Sequence, residues 1–431
     1  MFKSRRPLLV VFLAALMVVA FPAINAAEPN PPDNQNPPAP KLKITETSLG
    51  KFVEGAILES LTASPDSKHV AYVAQHGEKQ LVVADGVEGK EYDGAGFIVF
   101  SPDSKRIAYV AARGKEWLVV VDGVEGKEYD GIVGLAFSTD SKRIAYAAQR
   151  GEKQLVVVDG AEGKGYFGID IHTLVFSPDS KRIAYAALHA ERWLVVVDGV
   201  EGKEYAGAGL LTFSPDSKRV AYAAIRGDQC LVVVDGVEGK EYNGAGWPRF
   251  SPDSKRVAYA AQGGLKWFVV VDGVEGKEYD GTAGSPVFSP DSKRVAYVVK
   301  RGGEQLVIVD GVEGKEYDEI YSIWLVFSPD SKRIAYAARR GYKWRAVVDG
   351  VEGKEHDGIV DGSLVFSPDS KCVAYCAKQG EKWLVAVDRV ESGEYDGFPE
   401  GSHLVFDSPT KLHTLAVRNG EIFLVEIEIM E

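Results

Sequence analysis

Cysteine, methionine and histidine are scarce in this 431-residue chain: three, three and seven respectively. The cysteines, Cys230, Cys372 and Cys376, are too few and odd in number for a disulfide scaffold. Cys372 and Cys376 fall four apart in one apparent strand, which at the strand rise separates them by about 13 Å, beyond the reach of a bridge. Free, buried thiols are expected. No C-x-x-C spacing and no aspartate-rich calcium loop occurs, so neither a metal nor a cofactor is expected. Positive charge is also short: 50 Lys+Arg against 62 Asp+Glu give −12. A duplex or single strand of nucleic acid needs a basic patch, and an anionic membrane face needs the same. Both partners are therefore excluded.

Long apolar runs are missing too. The longest, Leu8 to Phe21, has 14 residues, short of the roughly 20 that a spanning helix needs. It follows Lys3, Arg5 and Arg6 and precedes small residues Ala26 and Ala27. Residues 1–26 thus read as a cleaved signal peptide, with no membrane insertion after cleavage. No cysteine sits at the cleavage point to carry an acyl anchor. Residues 27–44 read as a linker, because six prolines within 27–41 keep the chain extended and coreless.

Residues 45–431 form one repeat domain. The block Ser-Pro-Asp-Ser-Lys begins at Ser64, Ser101, Ser138 (with Thr139 for proline), Ser177, Ser214, Ser251, Ser289, Ser328 and Ser367, at steps of 37 to 39 residues. A degenerate tenth copy starts near Ser408. Self-similarity at this period marks a solenoid or propeller. Four short strands fit each unit. Strand a precedes the block, as at Leu174–Phe176. Strand b follows it, as at Arg182–Ala187. Strand c is the valine run, as at Leu194–Asp198, and strand d is Lys203–Tyr205. Asp-Gly pairs such as Asp122-Gly123 signal the c–d hairpins. Nine tyrosines share a slot in strand b and eight share one in strand d. Such repetition reads as core.

The expected fold is an all-β β-propeller of about ten four-stranded antiparallel blades. Residues 51–55 (KFVEG) mimic the end of a unit, so an N-terminal strand is expected to close the last blade. Two smaller propellers or an open superhelix are the alternatives.

The string FSPDSKRIAY resembles the repeat of TolB-type β-propellers, whose usual form is FSPDGKxIAY. The likeness covers nearly all of residues 60–406. It implies a propeller and, by analogy, an exported protein-binding role, and it brings no catalytic residues. Ser104, Ser180 and Ser217 stand where that family has glycine, which implies a turn without positive φ there.

The turn sequences SPDSKR and DGVEGK hardly vary, which suits turn chemistry and mutual charge compensation. The d–a connectors vary freely, and connectors on a rigid scaffold are the usual home of binding residues. Trp247, Tyr321 and Trp324, helped by His172, Asp361 and His403, are the candidate binding residues. A second aromatic cluster, Trp117, Trp193, Trp267, Trp344 and Trp383, opens strand c and reads as structural. No nucleophile elbow, H-E-x-x-H, phosphate loop or glycine-rich dinucleotide loop is present. The reading is a non-catalytic bacterial scaffold, periplasmic or secreted, that binds a protein such as a cell-envelope component. A carbohydrate- or peptide-binding propeller is the alternative, and a propeller lyase or glycosidase ranks below both.

Overall fold

The computed structural model describes residues 41–321, 325–360 and 362–430. Among these residues every regular element is a β-strand, and the strands form ten antiparallel sheets. The fold is an all-β β-propeller of ten four-stranded blades, as the repeat count predicts. In the eighth and ninth blades strand a is broken into two pieces, Glu319–Ile320 with Val326–Phe327 and Gly358–Ile359 with Val365–Phe366. The described chain divides into two compact units. One, Tyr92–Glu316, holds six of the sheets; the other holds the residues up to Glu91 and from Tyr317, with four sheets.

Each sheet follows from its turns. Asp122 and Gly123 both take left-handed backbone, φ 51° and 79°. That is the pattern of a two-residue hairpin whose twist matches its strands. Strand d departs from expectation. In most blades it is the Val-Glu pair just after this turn, as at Val200–Glu201, and not the Lys-Glu-Tyr stretch; in two blades, Ala161–Tyr166 and Val312–Tyr317, it runs on through the tyrosine. Tyr205 returns only as a single bridge to Trp193. Between the pairs Val197/Val200 and Trp193/Tyr205, five steps along strand d face four along strand c. The surplus residue breaks the ladder.

The a–b turn also differs from the sequence reading. Ser104, Ser180 and Ser217 lie at φ 62°, 61° and 65°, so positive φ is retained without glycine. The hydroxyl explains the serine. Ser180 Oγ accepts the backbone N–H of Asp140 in the preceding blade at 2.8 Å, and Ser217 Oγ accepts that of Asp179 at 2.8 Å. A buried bond of this kind offsets the roughly 1 kcal/mol that left-handed backbone costs a residue with a Cβ.

Small faces large between blades. In the first unit Ala145, Ala147, Val156 and Tyr166 of one blade pack on Ile169, Leu174 and Tyr185 of the next. The alternation of Tyr and Ala along strand b builds this fit, because each tyrosine fills space that the neighbouring alanines leave. Strand-b and strand-d tyrosines meet edge-on, Tyr166 and Tyr185 at 6.2 Å between centroids.

In the second unit the chain start completes the last blade. Lys41–Lys51 pairs antiparallel with Glu421–Met430, in the sheet that also contains Lys411–Arg418 and Val405–Ser408. Its first four residues lie inside the segment read as linker. Phe52 occupies the tyrosine slot and meets Tyr72 edge-on at 5.4 Å, which is why KFVEG looks like a repeat end. Of the cysteines, Cys230 and Cys376 are buried but Cys372 is only half-buried. Cys372 precedes the strand Val373–Gln379 and takes the slot that holds arginine in other blades.

Candidate binding site

The invariant turns are spent on joining blades. Arg106 donates from Nε to Asp122 Oδ2 at 2.7 Å, and from Nη1 to the carbonyls of Ser141 and Lys142 in the next blade at 3.1 and 3.0 Å. Its guanidinium lies 5.3 Å from the Phe137 ring centroid. Grooves of roughly 430 to 440 Å³ remain between blades of the first unit. Their charged walls, Arg219 with Asp235 for example at 2.8 Å, are already paired.

A second ladder ties strand d of one blade to the next at several blade junctions. Tyr129 donates its hydroxyl hydrogen to Glu162 at 3.1 Å, Lys127 reaches the same carboxylate at 2.6 Å, and Arg150 clamps it at 2.6 and 2.7 Å. Arg150 pulls Glu162 down to about 2, with Lys127 as the next cause. Burial pushes the Tyr129 phenol well above its ordinary value. These tyrosines are structural, as the sequence indicates. At the start of strand c, Trp117 and Trp193 exchange backbone hydrogen bonds with Tyr129 and Tyr205, and the Trp117 side chain is exposed.

The variable strands a carry the exposed chemistry. Trp247 sits half-buried at φ 52° within Ala245–Phe250, where the pairing skips from Gly246 to Arg249. Phe97 (φ 49°) and Leu210 (φ 54°) occupy the same skipped position in their blades, Gly96 to Val99 and Gly209 to Thr212. Phe97 is 67% exposed and Leu210 40%. Left-handed backbone under a bulky side chain is uncommon and strained. Leu210 and Trp247 lie on strands of adjacent blades that touch. The signal for this trio was present in the sequence as Gly-Ala-Gly followed by Phe, Leu or Trp, at Gly94, Gly207 and Gly244. Reading one connector at a time missed it.

The other candidates lie elsewhere. His172 is exposed, and its backbone N–H bonds Asp170 Oδ1 at 3.1 Å. Tyr321 is half-buried and stacks on Trp344 at 3.9 Å and 16°. His403 has an exposed side chain, and its backbone N–H bonds Ser67 Oγ at 2.7 Å. Trp324 and Asp361 lie outside the described residues. Trp247 and His172 fall in one unit, Tyr321 and His403 in the other, and no single cleft of the first unit collects the predicted set. Longer connectors use a hydroxyl to close their gap. Thr173 donates to the Asp170 carbonyl at 2.6 Å and accepts the Ala186 N–H at 2.7 Å.

Among the described residues no group of three His, Cys, Asp or Glu side chains is placed to hold a metal ion. Burial raises the Cys230 thiol to about 11, which keeps it protonated and unreactive near neutrality.

No family model matches the chain, and no curated protein matches it by sequence. Solved structures do resemble it. A eukaryotic initiation factor shares 12% identity over 76% of this chain and 96% of its own, with a TM-score of 0.46. TolB from Acinetobacter baumannii shares 16% over 59% and 77%, at 0.29. The propeller domain of the trilobed protease from Pyrococcus furiosus shares 16% over 63% and 99%, at 0.31.

Proposed function

We propose that this chain is an exported, non-catalytic β-propeller scaffold that binds a protein partner, a cell-envelope component of a bacterium, outside the cytoplasm. The observation that carries the reading is the strand-a trio. Phe97 and Leu210 are exposed and Trp247 is half-buried, all three on left-handed backbone in copies that otherwise match one another closely. Exposed apolar side chains on rigid strands cost solubility, whereas an interface uses both their area and their rigidity. The basic, apolar and small-residue pattern of residues 1–26 supports export, and the proline-rich stretch after it supports a tether. The FSPDSK repeat is similar to that of TolB-type propellers, which supports the same role by analogy.

The test is affinity capture from the native envelope with the full mature chain, wild type against Trp247→Ala combined with Leu210→Ala. Capture of a protein by the wild type and its loss in the double variant supports the proposal. Undiminished capture by the double variant overturns the choice of surface. Retention on a glycan array with no protein captured would move the assignment to carbohydrate binding.

A further inference from the structure

The Tyr–Glu–Arg ladder is incomplete: four blades carry His76, His189, Gly263 or Gln379 where the others carry arginine. The slot that ends strand b holds Arg113, Arg150, Arg226, Arg301, Arg340 and Arg418 in six blades, and each contacts the strand-d glutamate of its blade or, for Arg418, the equivalent Glu46. In the sixth blade the slot is Gly263. Its glutamate, Glu275, has both carboxylate oxygens buried and no hydrogen-bond partner.

Glu275 is surrounded much as its paired counterparts are. In blades with the arginine, the guanidinium lies over the tyrosine ring of the preceding blade: Arg150 over Tyr129 at 5.2 Å and Arg340 over Tyr317 at 5.0 Å. The corresponding ring beside Glu275 is Tyr242. It carries only Lys240, at 5.5 Å, and is the most exposed of the buried strand-d tyrosines. Lys240 lowers the cost of the Glu275 charge through space, yet makes no hydrogen bond to it, and burial remains the larger influence. Gly263 keeps the register of its counterparts, paired with Lys266 as Arg113 is with Glu116. The missing piece is thus a side chain, not a backbone. Beside the gap, on the tip of the same hairpin, Leu265 is 88% exposed.

We propose that Glu275 and the Tyr242 ring form a receptor for one arginine side chain of a protein partner, with Leu265 as its apolar rim. A planar guanidinium answers both features at once: paired N–H donors for the carboxylate, and a weakly hydrated face for the ring. An ammonium supplies only the charge. The source of the arginine rests on the scaffold reading above; the guanidinium site itself does not.

The experiment is saturation-transfer NMR on the full chain with Nα-acetyl-arginine amide as the probe, and with the lysine and citrulline analogues for comparison. The expected result is transfer to the arginine probe, weaker transfer to lysine and none to citrulline. Glu275→Gln and Gly263→Arg should each weaken the arginine signal by roughly tenfold, the first by removing the acceptor and the second by filling the site from within. Gly263→Arg reproduces a residue that six other blades accommodate, so its folding is not at risk. Equal transfer to wild type and Gly263→Arg, or none to the wild type, overturns the site. Either failure leaves protein capture by the Trp247 surface standing. Undiminished capture by the Trp247→Ala, Leu210→Ala variant with the NMR signal intact does the reverse.

Discussion

Tyr395 donates its hydroxyl hydrogen to Glu46 at 2.8 Å across 349 residues of chain. The same contact joins Tyr166 to Glu201 in the interior of the repeat, also at 2.8 Å. Glu46 is therefore the strand-d glutamate of the last blade, supplied from the start of the chain, and Arg418 clamps it as Arg150 clamps Glu162. From glutamate to aromatic slot there are six steps here (Glu46 to Phe52) against four elsewhere (Glu125 to Tyr129). The pairing of this strand with Glu421–Met430 shifts register by one residue between Ser48 and Gly50.

Deleting residues 41–51 should therefore unpair Glu421–Met430 and expose a sheet edge. Hydrogen exchange is expected to lose protection at Ile422–Ile427 first, with a lowered melting temperature and faster aggregation. Glu46→Gln should give a milder version. Arg418 holds the Glu46 carboxyl below its ordinary 4.5, so its stabilisation is present above that value and lost as pH falls below it.

Glu238 and Glu275 should respond to neutralisation with opposite signs. Arg226, then Lys203 and Tyr205, hold Glu238 down to about 2 from 4.5. Glu238→Gln is expected to lower the melting temperature at about pH 7, with the deficit shrinking between 4.5 and about 2. Burial raises Glu275, with Glu278 adding to the shift and Lys240 opposing it. Its carboxylate form costs stability once pH exceeds the raised value, and nothing below 4.5. Glu275→Gln should then raise the melting temperature near neutrality and change little in acid. Paired thermal melts across pH decide both.

Ser180→Ala should destabilise the chain by about 2 kcal/mol, since it forfeits the hydroxyl bond and keeps a Cβ on left-handed backbone. Ser180→Gly should cost less by roughly 1 kcal/mol, because it relieves that backbone while losing the same bond. Denaturant titration of the two variants measures the difference, and equal losses would show that the backbone term is negligible.

Thr173→Val keeps the shape and removes the hydroxyl that serves both the Asp170 carbonyl and the Ala186 N–H. The orphaned, buried N–H should cost about 1–3 kcal/mol by denaturant titration. Exchange at Ala186 should accelerate more than at its neighbours.

The blades were legible because each is specified within some 37 residues: a turn block, a Tyr/Ala alternation and an Asp-Gly hairpin, copied until the pattern is unmistakable. The tyrosines read as core are core, and the tryptophans that open strand c are tied into strand pairing. The binding residues were harder. Trp247 stood out in the sequence as a rare residue type, while Phe97 and Leu210 did not, since nothing in composition distinguishes an outward leucine from an inward one.

Local sequence decided what needs only neighbours in the chain: the strands, the hairpins, the repeat and so the propeller class and its ten blades. Tertiary structure alone decided what depends on the next blade. It shows that Ser104 and its equivalents keep left-handed backbone despite their Cβ, and that neither carboxylate oxygen of Glu275 finds the partner that arginine supplies in six other blades. The reason is physical. A turn's conformation and a carboxylate's charge are balanced by groups that approach through space from a separate sheet, and the distance between those groups is set by packing, which no local pattern encodes.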